Sequence, residues 1–247
     1  MDRSVMITGA SGGVGQALAA RLRAADWRLA LVTRDPDKLA AADGDHVIQA
    51  DVSTVAGAAD AVAQAQTHFG TAPAYLAHCV GSTLIAPLSR VREAQYRDVM
   101  ATNLDSAFFT LQAFLGALST SKQTGSVVVF SSVVAGMGVA NHAAIAAAKG
   151  GLEALVRSLA ADYSGAGIRI NAVAPGLMRS PMTEKMLGSE AVEKQIAAQY
   201  PLGRFGDAEE GASAAAWLLS DESAWITGQV IHLDGGFSAV RPYVKAG

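Results

Sequence analysis

The chain of 247 residues is long enough for one large α/β domain, and its 51% hydrophobic and 17% charged residues exclude an intrinsically disordered protein. A net charge of −3 with no basic run argues against nucleic acid as a partner. The single cysteine, Cys79, excludes an internal disulfide and is typical of a cytoplasmic protein. We expect no bound metal ion.

Short apolar runs alternate with helical patterns along the chain. Runs such as LALV and SVVVF are expected for strands that are buried on both faces of a sheet. The predicted strands are Val5–Thr8, Leu29–Thr33, Val47–Ala50, Tyr75–Val80, Ser126–Ser131, Arg169–Val173 and Gln229–Leu233. The predicted helices are one with Val14, Leu18, Leu22 and Ala25 at helical spacing, then Glu93–Leu118, His142–Tyr163 and Ala208–Leu219. This alternation predicts a single-domain Rossmann fold over residues 1–247, with a doubly wound, mostly parallel, seven-stranded sheet and helices on both faces.

The termini and apolar stretches give no sign of membrane targeting. The N-terminus enters an apolar strand at once, which leaves no room for a signal peptide. The longest low-charge stretch, Val133 to Ala148, contains Gly136 and Gly138, so we interpret it as a loop and a helix start. We therefore expect no membrane partner.

The first predicted strand runs into the glycine-rich segment TGASGGVG, Thr8 to Gly15. Its glycines allow a tight turn and a close approach of phosphate to the backbone. The helix that follows directs free N–H groups at such an anion. An ordinary turn is the alternative, but strand, loop and amphipathic helix follow in the order that the motif requires. The segment therefore predicts cofactor binding.

This loop resembles the Thr-Gly-x-x-x-Gly-x-Gly loop of the short-chain dehydrogenase/reductase family. Similar segments follow in the family order over nearly the whole chain. They are ADVS (50–53), TNLDSAF (102–108), VVFSSVVAG (128–136), AAAKGGLEAL (146–155), IRINAVAPG (168–176), PLGRFGDAEE (201–210) and LDGGFSA (233–239). The resemblance implies a nicotinamide-dependent oxidoreductase.

The resemblance also implies which residues hold the cofactor. The glycines would shape the pyrophosphate loop, Asp51 would meet the adenine amine, and residues 175–180 would lie along the nicotinamide. The implied positions are Gly9, Ser11, Gly13, Val14, Gly15, Asp51, Val52, Gly81, Asn103, Lys149, Pro175, Gly176, Met178 and Ser180. A substrate lid is expected around residues 178–205, and its apolar residues would include Met178, Met182, Met186 and Leu187.

The end of the second strand indicates which nicotinamide cofactor binds. An NAD-type site places a carboxylate there to hold the ribose hydroxyls. This chain has Thr33 at that position, followed by Arg34, and Asp35 lies further along. An arginine can clamp a 2′-phosphate with its planar guanidinium, although a solvated loop cation is the alternative. We predict a preference for NADP(H) over NAD(H).

The catalytic group that the resemblance implies is incomplete. In the family a Tyr protonates the substrate oxygen, a Lys holds the ribose, a Ser steadies the substrate and an Asn supports a proton-relay water. Asn103, Ser132 and Lys149 match three of these positions, but Ile145 occupies that of the Tyr and has no proton to donate. A second departure is HCVG, His78 to Gly81, where the family has Asn-Asn-Ala-Gly, and we expect the Asn side-chain hydrogen bonds to be lost.

His142 is a candidate to replace the missing tyrosine. It lies seven residues before Lys149, which brings the two side chains within about 20° of each other around a helix. The bacterial enoyl-acyl-carrier-protein reductases, a divergent branch of the family, are similar, because their Tyr lies seven residues before the Lys. The alternative is that His142 is only a first-turn residue behind an Asn141 cap. We predict that His142 contacts the substrate.

Three functions remain open from the sequence. The first is an NADP(H)-dependent reductase of a carbonyl or activated double bond, with a small-molecule substrate. The second is a cofactor-binding protein without catalytic activity, and the third is a dehydratase or isomerase on the same scaffold. The retained Asn103, Ser132 and Lys149 favour the first. The resemblance also implies a homotetramer, in which helices near Glu93–Leu118 and His142–Tyr163 pair across a two-fold axis.

Overall fold

A parallel seven-stranded sheet lies at the centre of the protein. The structure, a computed structural model, describes residues 3–180, 183 and 189–241. The strands are β1 (Ser4–Thr8), β2 (Arg28–Thr33), β3 (His46–Gln49), β4 (Tyr75–His78), β5 (Gly125–Phe130), β6 (Ile168–Pro175), β7 (Met178–Arg179), β8 (Gly206–Asp207) and β9 (Val230–Leu233). Seven of them form the sheet in the order β3-β2-β1-β4-β5-β6-β9, and β7 pairs separately with β8. The strand order reverses between β1 and β4, where such sheets bind ligands beyond their carboxyl ends.

The predicted fold class is confirmed. All seven predicted strands are present, and their ends differ from the predicted ends by two residues or fewer. The neighbouring strands β1 and β4 are buried along their whole length, because helices cover both faces of the sheet.

Helices cover the sheet in two layers. They are α1 (Gly13–Ala24), α2 (Val55–Phe69), α3 (Glu93–Met100), α4 (Ser106–Ser121), α5 (Ala143–Tyr163), α6 (Glu190–Ala197) and α7 (Ala208–Leu219). One core lies under α1 and α7 and contains Leu18 and Leu218, while the other lies under α2, α4 and α5 and contains Phe114 and Leu152. No helix in the described ranges is both long and apolar enough to cross a membrane.

Helix α2 was not among the predicted helices. Its start is fixed by Thr54, whose side chain accepts a hydrogen bond from the Gly57 N–H, and its end by Gly70 in the left-handed conformation. Its buried residues, which include Ala58, Ala61 and Ala65, recur at helical spacing, so the sequence carried a helix pattern that the prediction missed. Helix α6 was not predicted either.

The predicted helix Glu93–Leu118 is present but interrupted. Between α3 and α4 the chain forms one wider turn of π-helix over Ala101–Asp105. Directly after this turn, the Ser106 hydroxyl donates a 2.6 Å hydrogen bond back to the Thr102 carbonyl. Such turns are frequent at functional sites because they redirect one side chain, and here that side chain is the fully buried Asn103.

The start of α5 differs from the capped helix that the sequence allowed. Asn141 adopts a left-handed conformation with φ of 65°, and the helix begins at Ala143 after His142. The Ala86 N–H donates to the Asn141 carbonyl, which fixes the segment after β4 against this end of α5. His142 therefore occupies the residue just before the helix, at its positive end.

Candidate active site

The carboxyl ends of the central strands open into a cavity of about 510 Å³. Its walls come from the glycine-rich loop, the segments after β4, β5 and β6, and the first half of α5. The predicted site residues that line it are Ser11, Gly13, Val14, Gly81, Asn103, Ser132, His142, Lys149, Pro175, Gly176, Met178 and Ser180. The other predicted cofactor-binding residues do not line this cavity; they are Gly9, Gly15, Arg34, Asp51 and Val52. Of the predicted lid residues, Met182, Met186 and Leu187 lie outside the described residues.

The glycine-rich loop is shaped by close backbone packing. Gly9 has φ of +69°, and a Cβ at this residue would lie 2.8 Å from the peptide between Cys79 and Val80. A Cβ on Gly15 would overlap the Gly9 carbonyl oxygen. Helix α1 then begins at Gly13 without a side-chain cap or an acidic residue in its first turn. The free N–H groups of this helix end fit a pyrophosphate.

The end of β2 carries exposed positive charge. The Thr33 hydroxyl lies 2.8 Å from the Ser11 hydroxyl and is therefore held against the glycine-rich loop. The Asp35 carboxylate forms a 2.6 Å ion pair with Lys38, whose hydrogen bond holds the pKa of Asp35 below its usual value. The Arg34 side chain is exposed beside this pair. A cation, and not a carboxylate, therefore follows the strand directly.

Asp51 follows β3 on the same edge. Its carboxylate accepts hydrogen bonds from the Ser53 hydroxyl at 2.7 Å and the Ser53 N–H at 3.0 Å. The hydroxyl bond, then the N–H bond, and more weakly the charge of Arg34, lower the pKa of Asp51. Val52 beside it is buried. The carboxylate is thus held in its ionised form, in which it accepts hydrogen bonds and donates none.

The Asn103 side chain holds the segment after β4. Its Oδ1 accepts a 3.1 Å hydrogen bond from the Ser82 N–H, while its Nδ2 donates to the Val99 carbonyl at 2.9 Å and to the Ser82 hydroxyl at 3.0 Å. Both amide N–H donors of Asn103 are therefore used inside the protein.

Lys149 lies in the middle of α5 with its ammonium group buried. The Nζ donates a 2.7 Å hydrogen bond to the Phe130 carbonyl at the end of β5. Burial lowers the pKa of Lys149 to about 8, and Cys79 nearby opposes this in part. A Cβ on Gly81 would lie 3.4 Å from Asn103 Oδ1 and 3.6 Å from Lys149 Nζ, so the glycine keeps the space between these two groups open.

The cavity is also lined by His142, Ile145 and Ser132. His142 Nδ1 is 2.7 Å from the Ala140 carbonyl, and because a carbonyl only accepts, this nitrogen carries a proton. Ile145 is 4% exposed and packs in an apolar cluster with Val133. The Ser132 hydroxyl accepts a weak 3.4 Å bond from the Val134 N–H, which leaves its own hydrogen for another acceptor.

Comparisons with known proteins find relatives that match nearly the whole chain. A family described as enoyl-(acyl carrier protein) reductase matches residues 9–238. The chain is 34% identical to the 3-oxoacyl-(acyl-carrier-protein) reductase FabG of Escherichia coli, over 95% of this chain and 97% of that one. It is 35% identical to 2-(S)-hydroxypropyl-CoM dehydrogenase 3 of Xanthobacter autotrophicus, over 96% of each chain.

Solved structures also match nearly the whole chain. A short-chain dehydrogenase/reductase of Burkholderia thailandensis superposes with a TM-score of 0.87 at 31% identity, covering 97% of this chain and 94% of that one. Levodione reductase superposes with a TM-score of 0.90 at 32% identity, covering 98% and 99%. This chain belongs to the short-chain dehydrogenase/reductase family of oxidoreductases.

In this short-chain dehydrogenase/reductase, His78 makes side-chain hydrogen bonds of its own where the family has an Asn. The buried ring contacts the Thr8 hydroxyl through Nδ1 at 2.8 Å and the Ser106 hydroxyl through Nε2 at 3.1 Å. Since the Ser106 hydrogen goes to Thr102, Nε2 must be the donor and Nδ1 the acceptor. Burial, and secondly the charge of Lys149, lower the pKa of His78 to about 3. A neutral histidine therefore joins β1, β4 and α4.

Several residues that line the cavity were missed by sequence reasoning. Ser82 directly follows Gly81 in a segment already singled out, so its position was a usable signal. Tyr200 lies within the predicted lid of residues 178–205, but it was not named as a residue of the site. Its hydroxyl accepts a 2.8 Å hydrogen bond from the Leu177 N–H and its ring stacks on Phe237.

Proposed function

We propose that this chain is an NADP(H)-dependent oxidoreductase that reduces a carbonyl or an activated double bond of a small molecule, with His142 in the role of the missing tyrosine. The observation that carries the proposal is the single cavity that joins the start of α1 to Ser132, His142 and Lys149. Such a cavity lets a cofactor and a substrate lie side by side. FabG and the hydroxypropyl-CoM dehydrogenase, both similar over nearly their whole length, are named for reactions at a carbonyl or a hydroxyl group.

The residues of the cavity fit a nicotinamide cofactor, which would supply a hydride. The free N–H groups at the start of α1 would hold its pyrophosphate. Lys149 can donate two further hydrogen bonds besides the one to Phe130 and would hold a ribose hydroxyl. The exposed Arg34 supports a 2′-phosphate, because a guanidinium binds phosphate oxygens in a bidentate way.

The hydrogen bond of His142 supports a role as the acid. When both ring nitrogens are protonated, Nδ1 keeps its bond to Ala140 and Nε2 has a proton to give to a substrate oxygen. Loss of that proton leaves the neutral ring with its hydrogen on Nδ1, the form that the Ala140 carbonyl stabilises. Ser132 would donate a hydrogen bond to the same oxygen. In the oxidation direction, Nε2 would accept the hydroxyl proton.

The experiment is a screen for NADPH oxidation over ketones, quinones and enones, combined with titration of cofactor binding. Oxidation of NADPH with at least one class of substrate is the expected result. The variant Ile145→Tyr restores the family acid, so it should add ketone reduction to the activity of the native chain. Tight NADPH binding without turnover of any substrate, in both proteins, would contradict the proposed activity and favour a binding role.

A further inference from the structure

The hydrogen bonds around Asn103 fix the direction of a neighbouring hydroxyl. The Ser82 N–H can only donate, so it must face Oδ1 of Asn103, and the Val99 carbonyl can only accept, so it must face Nδ2. The orientation of the amide is therefore unambiguous. Nδ2 is also the atom that lies 3.0 Å from the Ser82 hydroxyl, which makes the oxygen of Ser82 an acceptor. The Ser82 hydrogen must point away from Asn103.

Ser82, whose hydroxyl hydrogen points away from Asn103, lines the cavity. Among the described residues, none accepts a hydrogen bond from this hydroxyl. The segment that follows Ser82 passes along the start of α5, because Leu84 packs against the cluster that contains Ile145 and Ala86 bonds to Asn141. Ser82 therefore lies on the wall that continues towards Ile145 and His142.

We propose that Ser82 is a substrate-contacting residue, whose hydroxyl donates a hydrogen bond to the substrate oxygen on which negative charge develops. The proposal rests on the proposed function of the same cavity. Asn103 is then a positioning residue, since it holds both the backbone N–H and the side-chain oxygen of Ser82. Ser82 gives up no proton in the reaction, and its donor offsets part of what the apolar Ile145 lacks.

A preorganised hydroxyl is effective in this position for a physical reason. Its oxygen is already bonded to an amide N–H, which polarises the O–H bond, and the donor does not have to reorient when charge appears. The surrounding wall is apolar around Ile145, so water competes poorly for the hydrogen bond. The ligand class that this wall recognises is a molecule with an apolar body and one oxygen that carries partial or full negative charge.

The test uses 4-nitrophenol, which ionises near neutral pH and changes its absorbance when it does so. Its binding to the full-length protein with NADP⁺ is titrated by absorbance for the native chain and for Ser82→Ala, Ser82→Thr and Ser82→Cys. Thr120→Ala, which removes an exposed hydroxyl at the end of α4, is the matched control. We expect binding of the anion by the native chain, and an affinity about 10-fold or more lower for Ser82→Ala, since a hydrogen bond to a charged group is lost.

The other variants separate this contact from a structural effect. Ser82→Thr keeps the hydroxyl and should keep the affinity, whereas Ser82→Cys has a similar size but a weak donor and should lose it. Equal affinity in Ser82→Ala and the native chain would overturn the proposal, as would a native chain that does not bind the anion. If binding depends on Ser82 but no substrate in the screen is turned over, the proposed function fails while the Ser82 contact stands.

Discussion

The ammonium group of Lys149 donates a 2.7 Å hydrogen bond to the carbonyl of Phe130, and this bond ties the middle of α5 to the end of β5. The geometry places a buried positive charge at the edge of the cavity. Burial of a charge costs free energy of folding, and the lowered pKa of Lys149, about 8, reports that cost. A group kept at the site against this cost is typical of a functional position.

Replacement of Lys149 should raise stability and lower cofactor affinity. Below pH 8 the lysine is charged in both the folded and the unfolded state, so its burial lowers the stability of the folded protein by the full amount. This loss of stability disappears as pH rises from 8 towards 10.5, the ordinary pKa of a lysine. Allowing for the lost bond to Phe130, we expect Lys149→Met to be more stable by about 1–2 kcal/mol at pH 7. Urea unfolding measures this, with Lys122→Met, an exposed lysine, as the control. A less stable Lys149→Met would contradict the interpretation.

His78 should make the protein sensitive to acid. Its folded pKa is about 3 and its ordinary value 6.5, so the unfolded chain binds a proton in this interval and the folded chain does not. The stability that the neutral His78 ring contributes to the folded protein is fully present above pH 6.5, and it is lost as pH falls from 6.5 towards 3. Between pH 7.5 and pH 5 the loss amounts to about 2 kcal/mol. Urea unfolding of His78→Asn at the two pH values should show a smaller loss than the native chain, and an equal loss in both would exclude His78 as the cause.

Arg34 should determine the preference for NADPH. A guanidinium that binds the 2′-phosphate contributes a charge-assisted bidentate contact, and its loss costs about 1.5–3 kcal/mol, tenfold or more in affinity. Calorimetry should therefore show that Arg34→Ala binds NADPH more weakly and NADH unchanged. Arg90→Ala removes another exposed arginine and should leave both affinities unchanged. Equal affinities of the native chain for the two cofactors would rule out the preference.

The oligomer should be a tetramer built partly on α4 and α5. The Phe108 side chain of α4 is 46% exposed, and closed symmetric assemblies commonly cover such apolar residues. Sedimentation at micromolar concentration should give about four times the chain mass of 25.3 kDa. Phe108→Glu should dissociate the assembly, whereas Val55→Glu, at an exposed valine of α2, should not. A native chain that sediments as a monomer would contradict the assembly.

Strands β1, β2 and β5 could be predicted because each contains a continuous apolar run, and burial on both faces demands that pattern. Helix α2 was missed although its buried residues recur at helical spacing and Thr54 and Gly70 signal its ends. The π-turn at Ala101–Asp105 depends on tertiary contacts, among them the chain of hydrogen bonds from His78 through Ser106 to Thr102. No local pattern records such contacts.

In the candidate site, too, some residues could be predicted from motifs and others could not. The positions around Gly9 and Lys149 follow from motifs, because short segments in a fixed order carry them. The free hydrogen of Ser82 and the approach of Tyr200 follow only from the folded arrangement. The partners of His78 were also hidden, since Thr8 and Ser106 come within hydrogen-bond distance of its ring only in the folded chain.

The role of His142 is the prediction on which the activity depends most directly. Its Nδ1 is fixed by the Ala140 carbonyl, so Nε2 is the nitrogen that can exchange a proton or a hydrogen bond with a substrate. Ile145 offers neither, and Ser132 and Ser82 would donate hydrogen bonds to the same oxygen without giving up a proton. Removing one such group should lower turnover by about 10²–10³ and leave NADPH affinity unchanged. Steady-state kinetics and calorimetry on His142→Ala measure the two effects, with His68→Ala, an exposed histidine of α2, as the control. Full turnover in His142→Ala would show that the proton comes from elsewhere.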